Sequence, residues 1–262
     1  MNGLKTALIT GASGGIGLEF AKLFAKDRHN LVLVARNGPK LSQVAGELQH
    51  LFDVSVKPVA RDLSAAPASQ SLFDELQREG ITVDILVNNA GYGKFGDFAN
   101  VELEESLGQI HLNITALTAL TKLFLAPMLE RRSGKILNVA STAGFQPGPQ
   151  MAVYYATKAY VLHFSEAIAN ELQRSGVTVT CLCPGPTVTE FHKRANMLSS
   201  RMLQFGAMNA RTVAEDGYRA LMSGKPVAIS GFKNWLLAQS VRFSPRRLVI
   251  AIARKLQETR NQ

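Results

Sequence analysis

Thr6-Ala7-Leu8-Ile9-Thr10-Gly11-Ala12-Ser13-Gly14-Gly15-Ile16-Gly17 is the stretch on which the reading of this chain turns. Residues 6–9 are a short apolar run of the kind buried in parallel sheets. Leu18-Glu19-Phe20-Ala21-Lys22-Leu23-Phe24-Ala25, just beyond, has helical periodicity. Between the two lie Gly11, Gly14, Gly15 and Gly17. Glycine lets the backbone turn sharply and approach a phosphate, while a helix N-terminus offers free N–H groups and the positive end of its dipole. Strand, glycine turn and helix in that order predict a phosphate-cradling βα unit.

The alternation continues along the chain. Apolar runs at 31–34, 55–60, 84–87, 134–139, 178–182 and 226–230 predict six more strands. Helical patterns fall near 14–26, 39–51, 68–79, 102–130, 153–175 and 212–222. The expected fold class is α/β: a doubly wound, Rossmann-type parallel sheet of seven strands with helices on both faces. Ligands bind such sheets outside the carboxyl ends of the strands. Gly11, Arg36, Asp62, Asn88, Ser141 and Pro184 all fall at strand ends, so six loops converge on one edge. Asn113 lies mid-helix, where asparagine has poor propensity, and needs a structural or chemical reason.

At 262 residues, with no linker, repeat or low-complexity tract, residues 1–262 are expected to form one domain. The first strand starts about five residues from Met1, so no signal peptide is expected, and no uninterrupted apolar stretch is read as reaching spanning length. A cytoplasmic location is expected. Cys181 and Cys183 alternate within one apolar run, so they are expected to point to opposite faces and to be packing residues of a reduced compartment. His29, His50, His111, His163 and His192 make no ligand spacing with one another or with the cysteines, and no metal site is expected.

A net charge of +9 raises the question of nucleic acid, but the basic residues are spread over helices without a Lys/Arg-rich block, which argues against it. Residues 233–262 stand apart. Lys233, Arg242, Arg246, Arg247, Arg254, Lys255 and Arg260 face a single acid, Glu258, and are interleaved with Trp235, Leu236, Leu237, Val241, Phe243, Leu248, Val249, Ile250 and Ile252. This extension reads as a basic amphipathic tail for an anionic membrane or partner surface, or as a helix packed on its own domain or in a dimer interface.

Tyr154 and Lys158 are four apart on a predicted helix, hence on one face. A tyrosine pKa is about 10, and bringing it near 7 takes about 4 kcal/mol. A neighbouring ammonium in a partly desolvated pocket is a means of doing so, which makes this pair a candidate proton donor. Tyr155 lies about 100° around the helix with Ala159 four residues on, and is expected to pack.

Thr10-Gly-x-x-x-Gly-x-Gly17, Asn88-Asn89-Ala90-Gly91, Asn113, Ser141, Tyr154-x-x-x-Lys158 and Pro184-Gly185 together resemble the short-chain dehydrogenase/reductase family over about residues 5–190. The resemblance implies a nicotinamide cofactor and a catalytic set of Asn113, Ser141, Tyr154 and Lys158. Tyr154 would protonate a carbonyl oxygen as hydride arrives, and Ser141 would donate a hydrogen bond to the same oxygen. Lys158 would lower the Tyr154 pKa and hold the cofactor ribose, and Asn113 would help hold a water linking Lys158 to solvent. Tyr154 and Lys158 thus belong to the implied cofactor contacts too, with Gly11, Ser13, Gly15, Ile16 and Gly17 at the pyrophosphate. Asp62 and Leu63 would meet adenine, Asn88, Ala90 and Gly91 the ribose, and Pro184, Gly185, Thr187 and Thr189 the nicotinamide. At the end of the second strand stands Ala35-Arg36-Asn37, where an NAD enzyme usually has an acid. Arg36 suits a 2′-phosphate, so NADP(H) is the expected cofactor, with no second cation inside the glycine motif, where Gly14 stands.

Beyond the sixth strand the resemblance fades. Phe191, Met197, Leu198, Met202, Leu203, Phe205 and Met208 suggest either an apolar substrate lid over about 190–211 or simple packing, with Phe145, Met151 and Val153 on the same wall. His192, Lys193 and Arg194 fit a phosphate-bearing carrier or plain solvation. The expected substrate is a small hydrophobic carbonyl compound reduced to an alcohol. A 3-oxoacyl thioester reductase and a non-catalytic NADPH-sensing or membrane-surface protein are the alternatives. A homo-oligomer is expected, a dimer through the helices near 102–130 and 153–175, with peripheral membrane contact through 233–262 kept open.

Overall fold

A computed structural model describes residues 3–189 and 207–257. Seven strands form one parallel sheet: β1 (Thr6–Thr10), β2 (Asn30–Ala35), β3 (Val56–Ala60), β4 (Ile85–Asn88), β5 (Gly134–Val139), β6 (Val177–Cys183) and, last in the chain, β9 (Val227–Ile229). Their order is β3-β2-β1-β4-β5-β6-β9, so the direction of winding reverses between β1 and β4. Every ladder is parallel. The doubly wound sheet expected from the alternation is present, with strand ends within about two residues of those predicted.

Helices cover both faces because the strands are apolar on both. Ile9, Leu33, Val87, Leu137 and Leu182 face α1 (Gly15–Lys26), α2 (Gly38–Phe52) and α7 (Ala210–Ser223), through Phe20, Phe24, Val44, Leu48, Val213 and Leu221. Leu8, Val32, Leu86 and Ile136 face the opposite layer of α3 (Ala68–Arg78), α5 (Leu117–Glu130) and α6 (Ala152–Glu171), through Leu72, Leu76, Leu120, Phe124 and Ile168. At about 25 cal/mol per Å2, each such fully buried Leu or Phe contributes about 2 kcal/mol.

Five findings depart from the expectations. Cys181 and Cys183 lie on the same face of β6, both packed with Val161 and Leu162 of α6, their sulfurs 3.8 Å apart and unbridged. Strand side chains repeat every second residue, so positions two apart share a face and Leu182 takes the other. The helix near 102–130 is three joined pieces: α4 (Leu103–Ile110), a π-helical turn (His111–Ala116) and α5. The π turn holds Asn113, where an extra residue per turn re-aims the side chain. Leu103–Glu130 is apolar and long enough by composition to cross a membrane, but Leu120, Thr121, Phe124 and Met128 bury its inner face on the sheet. A short parallel ribbon, β7 (Thr187–Val188) with β8 (Met208–Asn209), was not anticipated. Finally, two helices follow β9: α8 (Phe232–Val241) and α9 (Arg246–Gln257). The segment expected as a lid lies outside the described residues except for 207–211, and with it Phe191, His192, Lys193, Arg194, Met197, Leu198, Met202, Leu203 and Phe205.

One polar chain threads the core. Asn88 donates from Nδ2 to Asn138 Oδ1 at 2.9 Å and to Thr121 Oγ1 at 3.0 Å, and Asn138 donates to Ser165 Oγ at 2.9 Å. Asn88 and Asn138 are register partners across β4 and β5. Asn138→Ala leaves Asn88 and Ser165 short of partners in a fully buried site, and is expected to lower unfolding free energy by about 2–4 kcal/mol in urea denaturation. A loss below about 0.5 kcal/mol would contradict that role.

Candidate active site

The carboxyl edge of the sheet opens into a cavity of about 410 Å3. Its floor is the β1–α1 turn. Gly11 has φ +69°, and a side chain there would meet Asn89 Nδ2 at 2.8 Å. A Cβ on Gly17 would run into the Gly11 carbonyl oxygen. The two glycines thus allow loop and helix to close on each other, and Gly14 begins α1 in extended conformation with no side chain capping the first turn. The loop is held by its neighbour: Asn89 donates to Thr10 O at 2.9 Å, while Thr10 Oγ1 accepts from Asn89 N and Ala90 N at 3.0 and 2.9 Å. A glycine cradle, uncapped helix N–H groups and a strand-order switch fit a dinucleotide pyrophosphate.

Around this floor stand Ser13, Gly15, Ile16, Arg36, Asn37, Asp62, Leu63, Ala90 and Gly91, and, across from them, Ser141, Tyr154, Lys158, Pro184, Gly185, Thr187 and Thr189. The β7–β8 ribbon carries Thr189 over the glycine turn, 3.1 Å from where a Gly15 Cβ would be. Three expected residues sit behind the cavity instead of lining it. Gly17 makes the close helix approach, Asn88 belongs to the core polar chain, and Asn113 is buried. Asn113 accepts from Tyr92 N at 3.1 Å and donates to Tyr92 O at 2.9 Å and Thr157 Oγ1 at 3.0 Å. Thr157 in turn donates to Tyr154 O at 2.7 Å. Asn113 therefore splints the Gly91–Tyr92 wall to the helix that bears the tyrosine.

Tyr154 lines the cavity, half-buried, beside the buried Lys158 and Tyr155. Burial pushes its phenol well above the usual tyrosine value, against a hydrogen bond with Ser141 that pulls it down. Lys158 donates from Nζ to Val139 O at 2.7 Å and lies over the Tyr154 ring, 5.8 Å from its centroid. Burial lowers the Lys158 pKa to about 8. The expected fall of the Tyr154 pKa is not what this geometry produces: the ammonium faces the ring and a carbonyl, and desolvation outweighs its charge. The phenol stays protonated, which is the form a donor requires. Ser141 lies two residues past the end of β5 and caps the turn Thr142–Phe145, its Oγ accepting from Ala143 N at 3.1 Å.

Asp62 feels burial that raises its pKa, but two bonds from Ser64, at 2.9 and 2.6 Å, and the Arg36 cation hold it below the usual value. Arg36 Nη1 is 3.8 Å from Asp62 Oδ2, both half exposed, a pair worth about 0–1 kcal/mol and easily given up. Lys40, from the first turn of α2, places Nζ 3.7 Å from where a Gly14 Cβ would stand.

Several lining residues were missed. Asn89 and Tyr92 were within reach, being part of or next to the quoted Asn-Asn-Ala-Gly motif. Tyr155, read as packing, is buried and lines the wall beside Met151 as well, whereas Phe145 and Val153 lie off it. Asn234, Leu237 and Ala238 of α8 and Leu256 of α9 also line it. No local signal marks those four, because only the tertiary fold returns the C-terminal helices to the cavity. No group of three potential metal ligands occurs among the described residues.

The model of the short chain dehydrogenase family matches residues 5–198. A very-long-chain 3-oxoacyl-CoA reductase of Anas platyrhynchos is 35% identical over 193 residues, covering 71% of this chain and 61% of the relative. The chain thus spans about three fifths of that protein's length. A short-chain dehydrogenase of Sphingobium yanoikuyae, solved in complex with NADPH, is 32% identical with a TM-score of 0.81, covering 92% of this chain and 94% of the other. A bulky-bulky ketone specific alcohol dehydrogenase of Comamonas testosteroni is 31% identical with a TM-score of 0.78, covering 92% of each. With a family match over most of its length and the same architecture, this chain belongs to the short chain dehydrogenases.

Proposed function

We propose that the protein is an NADP(H)-dependent reductase of ketone groups in hydrophobic substrates. The observation that carries this reading is the meeting of Ser141, Tyr154 and Lys158 on one wall of an apolar cavity, with Lys158 Nζ 5.8 Å from the Tyr154 ring centroid. A bound nicotinamide supplies the hydride. Tyr154 donates its proton to the substrate oxygen, and Ser141 donates a hydrogen bond that stabilises the charge gathering there. Lys158, buried with its charge, holds the polar floor in place and favours the phenolate left behind.

Arg36 supports NADP(H) over NAD(H), since no carboxylate stands at the end of β2 and its pairing with Asp62 is weak. Lys40 reaches the glycine turn from α2 and supplies the second cation that Gly14 does not. The names of the relatives favour a 3-oxoacyl thioester as the substrate class, and the second solved relative a bulky ketone; a chain-length series of both separates them. A homodimer through α4 and α6 is proposed with it, supported by exposed Leu103, Leu107, Ile110 and Tyr160 on those helices.

Tyr154→Phe is expected to lower kcat for NADPH-dependent ketone reduction by about a hundred- to ten-thousandfold with NADPH Kd within about twofold. Retained turnover would sink the assignment of the donor. Arg36→Ala should weaken NADPH binding about 10- to 100-fold and leave NADH unchanged, with Lys40→Ala smaller in the same sense; equal losses for both cofactors would refute the 2′-phosphate role. The pH dependence has a definite sign. Lys158 is lowered from 10.5 to about 8, so the cost of burying its charge is fully present below pH 8 and is relieved as pH rises toward 10.5. Since the charged form supports Tyr154, kcat/KM for reduction should fall through about pH 8. A profile flat across that range would contradict a charged Lys158 in the working enzyme.

A further inference from the structure

The C-terminal helices carry a surface that ketone reduction does not use. α8 and α9 pack on the domain through Ala238, Val249, Ala253 and Gln257, and little else of them is buried. Phe243 is 87% exposed, Phe232 75% and Leu237 64%, with Trp235, Leu236, Leu248 and Ile252 also exposed. Phe232 and Trp235 stack on each other with centroids 5.8 Å apart, presenting a flat aromatic pair outward. Exposed apolar residues in this density mark an interaction site.

Charge identifies the partner. Between residues 232 and 257 stand Lys233, Arg242, Arg246, Arg247, Arg254 and Lys255, and no Asp or Glu. A second copy meeting this face two-fold would set like charges against each other. An anionic bilayer offers both what the apolar side chains need and what the cations need: an interface for aromatic and aliphatic groups beneath a negatively charged headgroup layer. The face is also next to the cavity. Leu237 is exposed and lines the cavity too, and Asn234, Ala238 and Leu256 from the same two helices form that wall.

We propose that α8 and α9 dock the protein on anionic lipid surfaces and turn the mouth of the cavity toward the bilayer. Apolar substrates would then enter from the lipid without crossing water. Docking is independent of the substrate assignment, because vesicle binding is read without turnover.

Trp235 is the chain's one tryptophan, so its emission reports on this face alone. With the full-length chain and vesicles of phosphatidylcholine mixed with phosphatidylglycerol, emission should shift to the blue and be quenched by brominated acyl chains. Pure phosphatidylcholine should give a weaker effect, and salt should reverse the binding. Arg246→Gln with Arg247→Gln should weaken vesicle affinity about tenfold or more, each neutralised cation near the surface being worth about fivefold. Phe243→Ser, at a solvent-exposed position, should weaken it while leaving turnover of a soluble ketone unchanged, which shows the fold intact. Absence of a shift with anionic vesicles would overturn the proposal. So would a Trp235 already blue-shifted without lipid in a dimer that Phe243→Ser dissociates, since the face would then belong to a second copy.

Discussion

Thr10 and Asn89 tie β1 to the turn that follows β4. The sheet reverses its winding between β1 and β4, and at that reversal Thr10 Oγ1 takes both Asn89 N and Ala90 N while Asn89 returns a bond to Thr10 O. The glycine turn and the Asn-Asn-Ala-Gly turn are thereby one rigid unit. A Cβ at Gly11 or Gly17 would strike that same asparagine, so the turn tolerates no larger residue. A phosphate cradle built from backbone works only if the backbone cannot relax, and these bonds supply that stiffness.

The end of the cavity that holds Ser141, Tyr154 and Lys158 is organised by desolvation more than by charge pairing. Burial raises the Tyr154 phenol and lowers the Lys158 ammonium, so the resting site holds a neutral acid above a lysine that readily changes charge. Asn113 reaches this site without entering it. Its amide bonds both backbone polar groups of Tyr92, and through Thr157 it meets the backbone of Tyr154 itself. That accounts for an asparagine mid-helix: the π turn aims it, and the bonds it makes offset its poor propensity.

Much of this was legible in the chain. Strand-and-helix alternation yields the sheet because apolar runs must be buried on both faces, and strand ends must share an edge when all strands are parallel. Ser141, Tyr154 and Lys158 come together for that reason. Illegible were features set by contacts between distant segments. Asn88 and Asn89 are adjacent, yet strand alternation sends the first into the core and the second to the glycine turn. Leu237 and Leu256 enter the cavity wall only because α8 and α9 fold back across it. The placing of Cys181 and Cys183 on opposite faces failed on elementary geometry, since a period of two puts them together.

On the proposed function, a ketone carbon bound in this cavity takes a hydride while Tyr154 protonates its oxygen. The most direct test is product analysis by mass spectrometry after incubation with a long-chain 3-oxoacyl thioester or bulky ketone and NADPH deuterated at the transferring position. An alcohol with a single deuterium on the carbinol carbon is expected, absent from the Tyr154→Phe enzyme. Tight NADPH binding with no labelled alcohol from any substrate in the series would contradict it.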